Sequence, residues 1–150
     1  MDSIAKQLAK GQNSGVYQLI RQPEQIEQAA KQAGLAVFRM DFSHVKGKKD
    51  LLDQVAKALQ FPAWFGSNWD ALNDSLTDLD WLGVKAGYVL VFENIEHFAR
   101  SHAQEFHNAT EVLRAASEYW KRENRPFWAF FPMSSAWDST LPRWPADQLV

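Results

Sequence analysis

FPAWFGSNWDALNDSLTDLDWL, residues 61–82, contains four aspartates and no lysine, arginine or histidine. Asp70, Asp74 and Asp78 recur at i, i+4 and i+8, so a helix carries them as one ridge of like charge. Carboxylates at that spacing repel by about 0.2–0.5 kcal/mol per pair. Asp78 falls toward the expected C-terminal end of the helix, where the macrodipole disfavours an anion. Ser67 is placed to cap its start, with Asp70 three residues on as the partner of a capping box. Trp69, Leu72, Leu76 and Leu79 form the apolar stripe. Nothing inside the segment neutralises the ridge, and the simplest account is that the missing cations belong to another molecule.

Working outward, Leu35–Phe42 (LAVFRMDF) reads as a strand. A basic loop at 46–49 follows, then a helix near Asp50–Leu59 with Leu51, Leu52, Val55, Ala58 and Leu59 on one face; it stops before Pro62. Downstream, Gly87–Phe92 (GYVLVF) and Phe127–Phe131 (FWAFF) are uninterrupted apolar runs. Between them lie a short helix around Ile95–His102 and a longer one from about Ala103 to Glu123. Apolar runs without alternation are strands buried on both faces, which implies a parallel sheet between helices. Toward the N-terminus, Val16–Ile20 reads as a further strand, and Pro23 opens a helix closed by Gly34. The expected fold class is α/β, a small parallel sheet of three strands, or four if Val16–Ile20 joins it, packed with helices. The tail after Pro132, with Trp137, Pro142, Trp144 and Pro145, has little periodicity.

A length of 150 residues suits one domain with a sizeable core, here taken as 1–150. The net charge of -2 supplies no general attraction to nucleic acid or to an anionic membrane, so any strong field must be local. Cysteine is absent, which removes disulfides, thiolate nucleophiles and cysteine metal sites. No leader pattern opens the chain and no apolar run nears the ~18 residues of a membrane span, so a cytoplasmic location is the expectation.

The pattern FPxWFGxNWDALxDxLTDLxWL across residues 61–82 closely resembles the central signature of the barstar family, intracellular inhibitors of barnase-type ribonucleases. The likeness extends more loosely over about 37–131, leaving 1–36 as an N-terminal extension and 132–150 as a tail. The resemblance implies a small parallel sheet with helices that presents one acidic helix and its preceding loop to a nuclease active site. By position, it makes Trp64 the aromatic of the binding loop, and Gly66 and Asn68 its turn residues. Asp70 becomes the first acidic contact, Asp74 the principal one, Thr77 a hydroxyl at the helix end and Glu118 a further acidic contact on a later helix. Asn73 stands where the type member has tryptophan, as does Leu79, with Trp81 two residues on; these rim differences bear on which nuclease is the partner. The implied partner is an extracellular-type ribonuclease or related basic toxin, bound one-to-one by a monomer. The resemblance implies no cofactor, metal, direct nucleic-acid contact or membrane.

Each of these residues also has a plainer reading. Asp70 suits the start of a helix whether or not it touches a partner. Gly66 supplies either a positive backbone dihedral or room for a close neighbour. Asn68 can serve as a local cap. Of the two aromatics before Gly66, Trp64 is expected to be exposed, and Trp69 is expected in the core. One alternative keeps the acidic face but directs it at another basic toxin or regulatory protein. A less favoured one is a small α/β enzyme: Asp41 and Glu93 fall near the ends of parallel strands, and His97 lies four residues after Glu93, suiting an acid–base or metal pair on one helix face. The chain has no Gly-rich phosphate loop, nucleophile elbow or HExxH to support it. Base stacking by the seven tryptophans fails on charge, because the densest aromatic stretch is the most acidic. Trp137 and Trp144 are expected over apolar surface left by the N-terminal additions.

Overall fold

The computed structural model describes residues 3–84, 86–134 and 139–145. Along the chain run α1 (Ser3–Lys10), β1 (Val16–Leu19), α2 (Pro23–Gln32), β2 (Ala36–Asp41), α3 (Lys48–Ala58), α4 (Trp69–Leu76), a 3-10 turn at Asp80–Leu82, β3 (Tyr88–Glu93), α5 (Glu96–Ser101), α6 (Ala103–Arg122), β4 (Phe127–Pro132) and β5 (Arg143–Trp144). The strands form one parallel sheet in the order β2-β3-β4-β1-β5.

The sheet therefore has five strands, and the expected three to four is corrected. The fifth comes from the tail. Gln18 N donates to Pro142 O at 2.8 Å and Ile20 N to Trp144 O at 3.1 Å. A strand of two residues is too short to show periodicity, so only its pairing with β1 reveals it. The first residues, read above only for the absence of a leader, form α1, which buries Ala5 and Leu8.

Successive strand residues point to opposite faces, and here both faces are apolar. On one, Tyr88, Leu90, Phe92, Phe127, Ala129 and Phe131 meet the layer of α3, α4, α5 and α6. On the other, Val89, Val91, Trp128 and Phe130 meet Leu8 of α1, Ile26 and Ala30 of α2, and Trp144 of β5. That second layer explains why the β3 and β4 runs are uninterrupted. Trp128 is fully buried, and its indole Nε1 donates to Leu8 O at 3.0 Å, so its polar atom is satisfied. Trp144 lies over this apolar surface as expected; Trp137 is outside the described residues.

Local chemistry fixes the layers. Gly34, at φ +77, lets α2 end with Gly34 N on Lys31 O and Leu35 N on Ala30 O, the Schellman pattern, which aims the chain into β2. Arg39 on β2 binds Glu93 of β3 in a fork (Nε to Oε2 2.7 Å, Nη2 to Oε1 2.8 Å) and reaches Glu27 at 3.1 Å and Glu24 at 3.2 Å on α2. The guanidinium holds the Glu27 carboxyl below its ordinary range. This cluster staples the edge strand to the α2 layer.

Candidate partner-binding site

The segment between α3 and α4 is folded on its own aromatics. Phe65 N donates to Pro62 O at 3.0 Å, closing a turn. The Phe61 and Phe65 rings meet at 4.9 Å, and Trp81 stands edge-on to Phe61 at 5.9 Å. The Trp81 indole donates to Leu59 O at 2.9 Å, which pins the 3-10 turn beneath the loop. Trp64 rests edge-on against Trp81 at 6.3 Å and is 60% exposed. In the sequence Trp81 reads only as a displaced tryptophan; its support of the loop is a long-range contact absent from local pattern.

The helix start differs from expectation by one residue. Ser67 does not cap α4; it takes φ 53, and Asn68 in extended geometry is the cap. Asn68 Oδ1 accepts from Ala71 N at 2.7 Å and its Nδ2 donates to Gly66 O at 3.4 Å. Both residues are good caps, and the left-handed turn at Ser67 decides between them. Gly66 itself has no positive φ, and a Cβ there would meet only Asn68 Nδ2 at 3.5 Å and Ala71 Cβ at 3.7 Å, ordinary contacts. Of its two readings, the dihedral one is removed and room for a neighbour stays. Asn68→Ala is expected to cost about 1 kcal/mol of stability, the usual value of such a cap; thermal denaturation checks it, and an unchanged melting temperature would contradict the capping role.

α4 is also shorter than the ridge required. It ends at Leu76, Thr77 Oγ1 donates to Asn73 O at 2.8 Å, and Leu79 at φ 58 turns the chain away. Asp78 therefore lies outside the helix, where its Oδ1 accepts from Asp80 N at 3.2 Å, at the start of the 3-10 turn. Hydroxyl and carboxylate side chains that can bond nearby backbone compete with helix continuation. The expected three-aspartate ridge is corrected to two, Asp70 and Asp74, one turn apart and both exposed. Leu79 is buried, but from the turn and not from the helix stripe.

Among the described residues, none of Asp70, Asp74, Asp78 or Asp80 forms an ion pair. Lys48, at the start of α3, places its ammonium 5.5 Å from the centre of the Trp69 ring. Trp69 is half-buried, packed on the larger core with one face under that cation. Asn73 is half-buried and Thr77 is committed to the helix end. Glu118 comes from α6, which is fixed to the end of α4 by Trp120 Nε1 donating to Leu76 O at 2.7 Å. Its carboxylate is exposed and receives Lys121 Nζ at 3.4 Å, so it is partly neutralised where Asp70 and Asp74 are not. The chain thus strings Trp64, Gly66, Asn68, Asp70, Asn73, Asp74 and Thr77 along one loop and helix, with Glu118 on the helix that packs against them.

A family model described as Barstar (barnase inhibitor) matches residues 35–132. This chain belongs to the barstar family. The match spans β2 to β4 and leaves α1, β1, α2 and β5 outside it, so in this barstar-family chain the whole second layer is additional. No curated protein matches the chain.

The residues of the enzyme alternative do other work. Glu93 ends β3 and His97 lies on α5, with Asn94 at φ 61 between them, so the expected shared helix face does not exist. Glu93 is held by Arg39. Asp41 accepts from Asn94 Nδ2 at 2.9 Å and from Ser43 N at 3.0 Å, and these bonds, Asn94 first, hold its carboxyl below the usual range. Among the described residues no group of three or more histidine, aspartate or glutamate side chains could hold a metal.

Proposed function

We propose that this protein is a stoichiometric inhibitor of a barnase-type ribonuclease, bound one-to-one and acting in the cytoplasm of the producing cell without chemistry of its own. The observation that carries the reading is the pair of exposed, unpaired carboxylates, Asp70 and Asp74, beside the exposed Trp64, in a family whose description names a barnase inhibitor. A ribonuclease must gather arginine, lysine and histidine around the scissile phosphate. A carboxylate placed where that phosphate sits satisfies those cations with charge-assisted, potentially bidentate bonds. Asp74 takes that place, Asp70 and Glu118 flank it, and Trp64, Gly66 and Asn68 form the loop that lies against the enzyme beside Asn73 and Thr77.

The test is inhibition of RNA cleavage by barnase-type ribonucleases, with activity expected to fall linearly to zero at one equivalent. No loss of activity in any of a panel, with no complex by calorimetry, would overturn the reading. An acidic face meeting a cationic cleft also speeds encounter. The association rate constant is therefore expected to drop by about tenfold or more as salt screens the charges over roughly 10 Å and less. Stopped-flow measurement at rising ionic strength checks this; a flat rate would rule out steering.

A further inference from the structure

The 3-10 turn after α4 returns one side chain to the binding loop. Trp81 lies between two left-handed residues, Leu79 at φ 58 and Gly83 at φ 67, and Leu82 N donates to Leu79 O at 3.1 Å. Leu79 is buried, which seats the turn on the core. The Trp81 indole is tethered by its Nε1 to Leu59 O at 2.9 Å. Leu59 is the fully buried C-cap of α3, so the tether ends on a fixed part of the fold. Phe61, edge-on at 86° and 5.9 Å away, holds the same ring from a second side.

Trp64 is in the opposite condition. Its ring is 60% exposed, and its indole N–H meets no acceptor among the described residues. The one ring it touches among the described residues is that of Trp81, at 6.3 Å and 87°. An exposed side chain that a partner must immobilise loses rotamer freedom, which lowers affinity by about 2- to 10-fold. A ring already held in its bound pose is spared most of that loss. Trp81 is thus the link between a mobile-prone contact residue and the anchored end of α3.

We propose that Trp81 is a positioning residue for recognition: it fixes the exposed Trp64 ring in the pose that meets the partner, and contributes to affinity only through that ring. The proposal takes its partner from the inhibitor reading and its geometry from the free chain. Trp81 is half-buried, so two other roles have to be separated from this one, a direct contact with the partner and a contribution to folding alone.

A double-mutant cycle on the full chain separates them. Trp81→Ala should weaken the complex with the inhibited ribonuclease by about 2- to 10-fold. It should not cost more than Trp64→Ala, because a residue acting through Trp64 cannot exceed the contact it prepares. In a Trp64→Ala background the same change should cost less than half of that loss on a logarithmic scale. A loss of half or more in that background would make Trp81 a contact or a general support of the loop. An unchanged affinity, whatever the melting temperature, would confine it to the fold. Either result overturns the proposal, as does a loss larger than that of Trp64→Ala. Trp81→Phe keeps a ring and gives up the tether to Leu59 O, and the same cycle applies to it should Trp81→Ala not fold. A second readout needs no ribonuclease. Nitrogen-15 relaxation of the Trp64 indole should report a rigid group in the unaltered chain and a flexible one in Trp81→Ala and Trp81→Phe. A Trp64 ring equally mobile in all three overturns the proposal. An unaltered chain that inhibits no ribonuclease overturns the inhibitor reading instead, and the relaxation measurement still decides on Trp81.

Discussion

Asp74→Ala is expected to weaken the complex with the cognate ribonuclease by about 30- to 5,000-fold while leaving the fold as stable as before. The loss corresponds to about 2–5 kcal/mol, the general range for truncating one partner of a buried charge pair, to which the barnase–barstar pair itself contributes measurements. Much of it comes from the enzyme's cations, left buried without their counter-charge. Stability is spared for a separate reason. Asp74 is exposed, and among the described residues its carboxylate accepts no hydrogen bond and makes no ion pair. It also lies in the last turn of α4, where the macrodipole opposes an anion, so its removal relieves a small repulsion.

Asp70 behaves differently under the same test. It sits in the first turn of α4, where an anion is favoured, so Asp70→Ala gives up some helix stability as well as its proposed contact. Measuring binding by titration calorimetry and stability by thermal unfolding on both variants separates the roles. An Asp74→Ala variant with unchanged affinity would end the phosphate-mimic account, and one with a markedly lower melting temperature would mean that the carboxylate serves the fold.

The candidate site is legible in the sequence because the residues that compose it are mostly contiguous. Aspartates without cations and an aromatic before glycine are local features, and loop and helix hold them in chain order. What failed was also local, but competitive. Ser67 and Asn68 are equally good caps, and only the left-handed dihedral of Ser67 selects the second. Asp78 has helical spacing, yet its carboxylate and the Thr77 hydroxyl capture backbone groups that end the helix first. Glu93 and His97 have the spacing of a helix pair, and the turn at Asn94 divides them. Central strands β3 and β4 announced themselves because both faces are apolar. Strand β5 could not, since Arg143 and Trp144 become a strand only by pairing with β1. The Trp81 and Trp120 indole bonds, which hold the loop and α6 in place, join residues 22 and 44 positions apart, and no window of sequence contains them.

The added layer makes the second large prediction. A chain starting at residue 35 keeps every residue the barstar family model matches, yet it is expected not to fold to a soluble protein. Val89, Val91, Trp128 and Phe130 are fully buried under α1, α2 and Trp144, and removing that cover bares a contiguous apolar face on the two central strands. Loss of β1 would also leave β4 with an unpaired edge, an invitation to aggregation. A point substitution tests the same face more gently: Trp128→Ala removes the largest fully buried side chain of that core and its bond to Leu8 O, for an expected loss of about 3–5 kcal/mol. Denaturant unfolding measures it, and a loss below about 1 kcal/mol would show that the second layer is dispensable. The substituted residue faces the layer opposite α4, so the fraction of Trp128→Ala that remains folded should bind the ribonuclease with unchanged affinity. On that outcome the second layer adds stability on the face of the sheet opposite the proposed recognition site, and it can be altered while binding is held constant.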